Sequence, residues 1–378
     1  MDFDFTDEQR QLRDAVQRWA ERSHPFERRR ATLAAGGFDA ATWAELTALG
    51  LPGLTVPEAH GGMALGMVAA MVVHEVLGAA LLPEPLAQVH IASAVLQRHA
   101  APALQAAWLP RLATGELVAL AHVERHARHR PEAATTTARA TAEGWRLQGT
   151  KHAVPAGDRA AAWLVPARTP AGLALFLVER GAPGVSLTPH TTLDGSRAAE
   201  LALQDTPATL VADDGAAALA WAVDIGIALA CAEGVGVMER ALALTVQYLN
   251  TRRQFGVPIA SFQALRHRAA DMKLQLELAR GMSWYATLRL EAPPAPRRQA
   301  LARAKVQLGQ AMRFVGQQAV QLHGGIGVTD EAEISHCLRR LTQLELTFGD
   351  TLHHLGEVAA RMTDDAGVAM EGGQPSPA

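Results

Sequence analysis

Cysteine is nearly absent. Cys231 and Cys337 are the only two in 378 residues, too few for a disulfide framework, which points to a reducing, cytoplasmic setting. An excess of one charge is missing too. With 35 Lys and Arg against 38 Asp and Glu, and a net charge of −3, no long-range field favours nucleic acid or an anionic membrane. The cluster Arg28-Arg29-Arg30 is short and is expected on a solvated helix face. No long apolar run is uninterrupted: His74 and Glu75 break the stretch 63–82, and Asp224 breaks 216–232. Both therefore read as buried helices rather than membrane spans. The acidic start Met1-Asp2-Phe3-Asp4 lacks an apolar h-region, so no secretory leader is expected. A Gly-x-Gly-x-x-Gly after a strand is also lacking, because Gly234-Val235-Gly236 sits in a helical pattern without a third glycine. A Rossmann dinucleotide site is disfavoured on that ground. No internal repeat is found.

What is present is apolar surface to bury. Apolar residues make up 49% of the chain, as in a globular protein, and the length suggests two or three packed units. Thr6-Asp7-Glu8-Gln9 has capping-box spacing, with Leu12, Val16 and Trp19 following at helical intervals. Helical patterns run to about Gly115, punctuated at Gly36-Gly37, Leu51-Pro52-Gly53 and 82–85. From Glu116 the texture changes to short runs at 117–123, 135–141, 145–147, 163–165, 173–178 and 200–203, separated by turn residues. Such spacing predicts an antiparallel β unit. Helical spacing returns from Asp214, with Val235, Met238, Leu242, Val246 and Leu249 on one face, and lasts to about Thr363 with a break at 291–296. The expected organisation is α+β and multidomain. It comprises an N-terminal all-helical domain (1–116), a middle β-barrel or sandwich domain (117–213), a C-terminal helical bundle (214–364) and a disordered tail (365–378).

Two stretches carry chemistry. In Arg252-Arg253-Gln254-Phe255-Gly256-Val257-Pro258 a helix is expected to end near Phe255, with Gly256 as the left-handed residue after it and Pro258 preventing continuation. Arginines in a last turn favour the negative end of the helix dipole. A planar guanidinium at 252 also offers fixed donors to phosphate oxygens. Gln321-Leu322-His323-Gly324-Gly325-Ile326-Gly327 reads either as a helix end with a tight turn, or as a place where glycines let the backbone approach a flat ring or phosphate. His122, His126 and His129 are spaced so that a helix would gather them for a metal. However, Arg125, Arg128 and Arg130 add repelling charge and the flanks read as strand and loop, so no metal site is expected there. His353-His354 carries no partner at ligand spacing.

Taken in order, Arg252, Phe255, Gly256, Pro258, Phe262 and Gln263, followed by Gln321, Gly324 and Gly325, resemble the carboxy-terminal half of the acyl-CoA dehydrogenase family of flavoenzymes. Gln254, Asp271-Met272 and the Gly-rich stretch 50–62 match as well. The wording at 253–259, 314–327 and 348–350 is most similar to the small subunits of pimeloyl-CoA dehydrogenase-type enzymes. The resemblance implies an N-terminal helical domain, a middle antiparallel β domain and a C-terminal four-helix bundle. It implies FAD as cofactor, an acyl-CoA substrate, α,β-desaturation in fatty acid metabolism, and electron-transfer flavoprotein as acceptor. Arg252, Gln254, Phe255, Gln321, Gly324 and Gly325 become the cofactor-binding residues, reaching FAD held mainly by a neighbouring subunit. That neighbour is a larger homologous subunit or a second copy, in a tetramer.

The chain departs from the family where proton abstraction belongs. The family's two glutamate positions fall on Phe348 and Gly226, and neither can take a proton from the carbon α to a thioester. Asp350 and Glu233 are the remaining catalytic candidates. Against these roles stand a helix cap for Asp350 and buried polar pairing for Glu233 and for Asp224. The loop at 122–130 has diverged, and Pro155 stands where the family has a threonine contacting the flavin. The expectation is a subunit that lends adenosine-end contacts to a catalytic partner. The alternative is a structural partner that binds no FAD of its own. A DNA-associated role would require a basic surface, which the composition does not provide.

Overall fold

The computed structural model describes residues 5–127, 129–130 and 133–362; the expected tail at 365–378 lies outside them. The chain begins with six helices: α1 (Asp7–Ser23), α2 (Phe26–Ala34), α3 (Ala40–Ala48), α4 (Gly66–Ala79), α5 (Leu86–His99) and α6 (Pro102–Ala113). The capping box forms as its spacing requires: the Gln9 N–H donates to Thr6 Oγ1 at 3.2 Å and the Thr6 N–H to Gln9 Oε1 at 3.0 Å. Of the arginine triplet on α2, Arg30 is exposed as expected, but Arg28 and Arg29 do not face solvent. Arg28 pairs with Asp39 at 3.0 Å and Glu45 at 2.9 Å. Arg29 is buried, donating to the carbonyls of Leu81 and Asp194. Part of a basic run can face inward when acceptors from distant segments meet it, which local spacing does not reveal.

Seven strands follow: β1 (Val118–Leu120), β2 (Thr137–Thr141), β3 (Gly144–Pro155), β4 (Ala162–Thr169), β5 (Gly172–Glu179), β6 (Val185–Thr191) and β7 (Arg197–Ala212). Pairings run β4-β2-β3-β7-β5, and β4 also pairs β5, so the sheet closes on itself as a barrel; β1 adds to β4 and β6 to β7. Most pairings are antiparallel, but β1 and β2 each lie parallel to β4. The sequence pattern did not separate β6, because its residues are mostly exposed and an edge strand needs no apolar alternation.

The last part is a helical bundle: α7 (Gly215–Thr251), α8 (Gln263–Leu288), α9 (Pro294–His323), α10 (Glu333–Leu346) and α11 (Thr351–Ala360). One contiguous apolar core runs through all three parts. At 37 residues, α7 is about 55 Å long. It alone among the described residues is long and apolar enough to cross a bilayer by length and composition, and most of its apolar window is buried here. Its end corrects the expected helix through Phe255. The helix stops at Thr251, and β8 (Arg253–Gln254) pairs β9 (Val257–Pro258) in a hairpin. Phe255 and Gly256 form the turn, with φ of 51° and 81°, the two positive values that a tight hairpin demands. Cys231 on α7 and Cys337 on α10 are free and buried, and burial pushes both thiols up to about 12.

Candidate functional site

A cleft of about 440 Å³ opens where the three parts meet. Leu82 to Gln88 wall it from the N-terminal helices, Leu120 to Arg125 with Ala153 and Pro155 from the barrel, and Gly226, Glu233, Arg340 and Phe348 from the bundle. A second cleft of about 490 Å³, holding His24, Glu75 and Glu239, contains none of the motif residues.

The two positions that carry the family's base converge in the first cleft. A Cβ built on Gly226 would stand 2.4 Å from Phe348 Cε2 and Cζ, so the phenylalanine ring occupies the space any side chain at 226 needs. Phe348 adopts φ 58°, a left-handed backbone that a bulky residue rarely takes. The His122 ring stacks on it at 5.7 Å between centroids, tilted by 15°. Burial first, then Lys151, pushes the His122 imidazole down to about 4, so it is neutral at pH 7. Gly226→Ala is expected to destabilise by about 1–3 kcal/mol through overpacking. In a Phe348→Ala background the same change should be neutral or stabilising, since alanine is the better helix former. A double-mutant cycle in urea measures that coupling.

The candidate carboxylates near the cleft are already engaged. Asp350 caps α11, with Oδ1 accepting the His353 N–H at 2.8 Å. Glu233 Oε1 lies 2.5 Å from Arg340 Nε, and taking a proton would forfeit that ion pair. Asp224 pairs with Arg297 at 2.7 Å and Arg298 at 3.3 Å. On the loop at 122–130, Glu124 turns inward. It accepts Lys151 Nζ at 2.6 Å and the N–H and hydroxyl groups of Thr135 and Thr136. Burial pushes its carboxyl up, but Lys151 and Thr135 outweigh this and hold it at about 2. Glu84 differs: burial raises its carboxyl to about 7, Oε1 accepts the Asp39 N–H at 3.1 Å, and Oε2 is buried without a partner.

Arg340, which the sequence pattern did not single out, ties the domains together. Its Nη1 lies 2.6 Å from Asp194 Oδ2, between β6 and β7, while Arg29 of α2 donates to the Asp194 carbonyl. Burial raises the Asp194 carboxyl, but Arg340, Thr192 and Ser196 outweigh it and hold the group at about 2. The three loop histidines do not assemble as ligands among the described residues: His122 is stacked on Phe348, while His126 is exposed.

At the far end of the bundle lies the other half of the motif set. Tyr248 of α7 stacks on His323 of α9 at 4.6 Å and 25°, bringing the hairpin after Thr251 and the turn at Gly324 to one edge. Arg252, Gln254, Phe255, Gln321, Gly324 and Gly325 are all exposed there, Phe255 by 90%. Arg253 donates to the Gly256 carbonyl at 2.9 Å, whereas Arg252 engages its neighbours through backbone only. A Cβ on Gly324 or Gly325 would meet nothing within 4 Å, so the backbone there is open to a ligand. FAD therefore fits unevenly. The exposed edge offers a guanidinium and open backbone to a phosphate-adenine end, while Phe348, His122 and Pro155 line the cleft and offer it no side-chain hydroxyl.

The sequence matches the family described as acyl-CoA dehydrogenase in its N-terminal domain (residues 6–116), middle domain (119–206) and C-terminal domain (213–363). "Acyl-CoA dehydrogenase FadE27" of Mycobacterium tuberculosis is 30% identical over 336 residues, covering 86% of this chain and 89% of that protein. Among solved structures, a Tcur3481-Tcur3483 steroid ACAD variant superposes with a TM-score of 0.89 at 31% identity, over 96% of this chain and 99% of that one. The ChsE4-ChsE5 complex from Mycobacterium tuberculosis gives a TM-score of 0.87 at 28% identity, over 96% and 99%. With all three domains matched and a relative this similar along most of its length, the chain belongs to the acyl-CoA dehydrogenase family.

Proposed function

We propose that this chain is the small subunit of a hetero-oligomeric acyl-CoA dehydrogenase. It lends phosphate-adenine contacts to FAD seated mainly in a larger homologous subunit, which supplies the flavin-ring contacts and the carboxylate base. FAD when bound supplies the hydride acceptor for α,β-desaturation of the acyl-CoA, with electron-transfer flavoprotein as the downstream acceptor. Arg252 and the open backbone at Gly324 and Gly325 are this chain's contribution. The observation that carries this reading is the meeting of Gly226 and Phe348 in one space, which leaves neither base position with a carboxylate. Two similar structures, each named for a pair of proteins, support a paired assembly, and the steroid ACAD among them supports a bulky cyclic acyl group.

The test is to purify the chain alone and together with a co-expressed larger homologue, then record flavin absorbance and acyl-CoA turnover. The lone chain should be colourless and inactive, and the complex yellow and active. Full FAD occupancy and turnover by the lone chain would overturn the proposal. A colourless complex would instead support the purely structural role.

A further inference from the structure

We propose that His353, His354 and Glu357, on the first two turns of α11, form a site for a late first-row divalent cation such as Zn²⁺. The spacing corrects the expectation that His353-His354 lacks a ligand partner: Glu357 stands four residues beyond one histidine and three beyond the other, on the same helical face. One nitrogen from each ring and one carboxylate oxygen all lie within 4.8 Å of one another.

The hydrogen bonding around His354 points to a cation. The ring is fully buried, and its Nε2 lies 3.0 Å from the Phe348 carbonyl oxygen. A carbonyl only accepts, so Nε2 carries the ring proton and Nδ1 presents a lone pair. That lone pair faces Glu357 Oε2 at 3.1 Å. Two lone-pair atoms at that distance repel unless a positive centre sits between them, either a proton shared by ring and carboxyl or a metal ion in its place.

Coordination suits the geometry. Bonds of about 2.0–2.1 Å in a tetrahedron put neighbouring ligand atoms roughly 3.3 Å apart, close to the observed separation. The outer groups are in place as well. Ligating histidines characteristically donate their second N–H to a carbonyl, as His354 does. Arg298 holds Glu357 Oε1 at 3.0 Å, leaving Oε2 to the ion, and Asp224 is shared between Arg298 at 3.3 Å and Arg297 at 2.7 Å. His353 Nε2 stands 3.9 Å from Glu357 Oε1, so all three side chains reach the same small volume. The His129 ring, on the cleft loop, lies 5.0 Å from that of His353. Two nitrogens and one oxygen select zinc, nickel or copper over magnesium or calcium. Through His354 and the Phe348 carbonyl, the ion would fix the wall of the cleft.

The experiment uses the full-length, untagged chain, stripped with chelator, titrated with ZnCl₂ by calorimetry and assayed for retained zinc after gel filtration. One equivalent should bind and raise the melting temperature. His353→Ala and Glu357→Gln should each weaken binding by at least about tenfold, the smaller end of what losing even an outer-shell partner costs. His60→Ala, in the N-terminal helical part, should leave binding unchanged. Wild type eluting free of zinc, or Glu357→Gln and His353→Ala binding as tightly as wild type, would overturn the site. Two variants are used because Glu357→Gln also loosens Arg298, whereas His353 has no such second duty.

Discussion

Replacing Arg340 by methionine is expected to cost about 3–5 kcal/mol of stability, the usual price of leaving buried carboxylates without their partner. Two are stranded at once. Glu233 lies 2.5 Å from the guanidinium and Asp194 2.6 Å, both largely buried. In thermal denaturation at pH 7 the melting temperature should fall by about 5 °C. The pH dependence identifies the cause. Asp194 is held at about 2 in the folded protein, against 3.8 for an ordinary aspartate. Its contribution is therefore present above pH 4 and lost as pH falls through 2. The variant lacks the guanidinium that depresses Asp194 and leaves burial to raise it, so the penalty should shrink as pH falls toward and then below the ordinary aspartate value of 3.8 and that carboxylate protonates. A triple variant adding Asp194→Asn and Glu233→Gln should recover much of the loss, because neutral amides remove the unpaired charge. A variant that melts with wild type at neutral pH would show that water reaches these carboxylates and screens them.

The same network shows where the sequence was legible. Helices with local signals were: the capping box at Thr6 and the prolines before α9 act at short range, and the structure follows them. The motif glycines and Arg252 could be named from their spacing along the chain, and the structure leaves them exposed at one edge. Arg340 and Arg29 were not legible. Arg340 finds Glu233 and Asp194 more than 100 residues away, and Arg29 finds the Leu81 carbonyl 52 and the Asp194 carbonyl 165 residues away, and one sequence carries no trace of such pairing. The hairpin at 253–258 was misread for another reason. A helix C-cap and a two-residue turn both ask for glycine at positive φ, and only the preceding Phe255, also at positive φ, separates them. A sequence reader does not assign a phenylalanine to that region unprompted. The convergence of Gly226 and Phe348 was half visible, since both positions could be counted, but that one ring fills the other's space required coordinates.

Arg252→Ala should strip FAD from the assembled complex while leaving the chain folded. Its guanidinium stands exposed at the end of α7, with only its backbone N–H and carbonyl engaged, to Tyr248 and Ile259 at 2.8 Å each. Removing the side chain therefore breaks nothing inside the subunit. A phosphate contact of this kind is a charge-assisted pair, and its loss corresponds to a rise of about 10–100-fold in the dissociation constant. Arg253→Ala is the contrast, because that guanidinium is spent on the Gly256 carbonyl of its own hairpin and its loss should affect flavin content far less. Arg252→Lys keeps the charge but loses the planar fork, so it should fall between the two. Flavin released on dialysis, read by absorbance against protein, checks all three without any need for turnover. If Arg252→Ala retains FAD as wild type does, the exposed guanidinium has no phosphate to hold. The open glycines at 324–325 would then have to be explained by subunit packing alone.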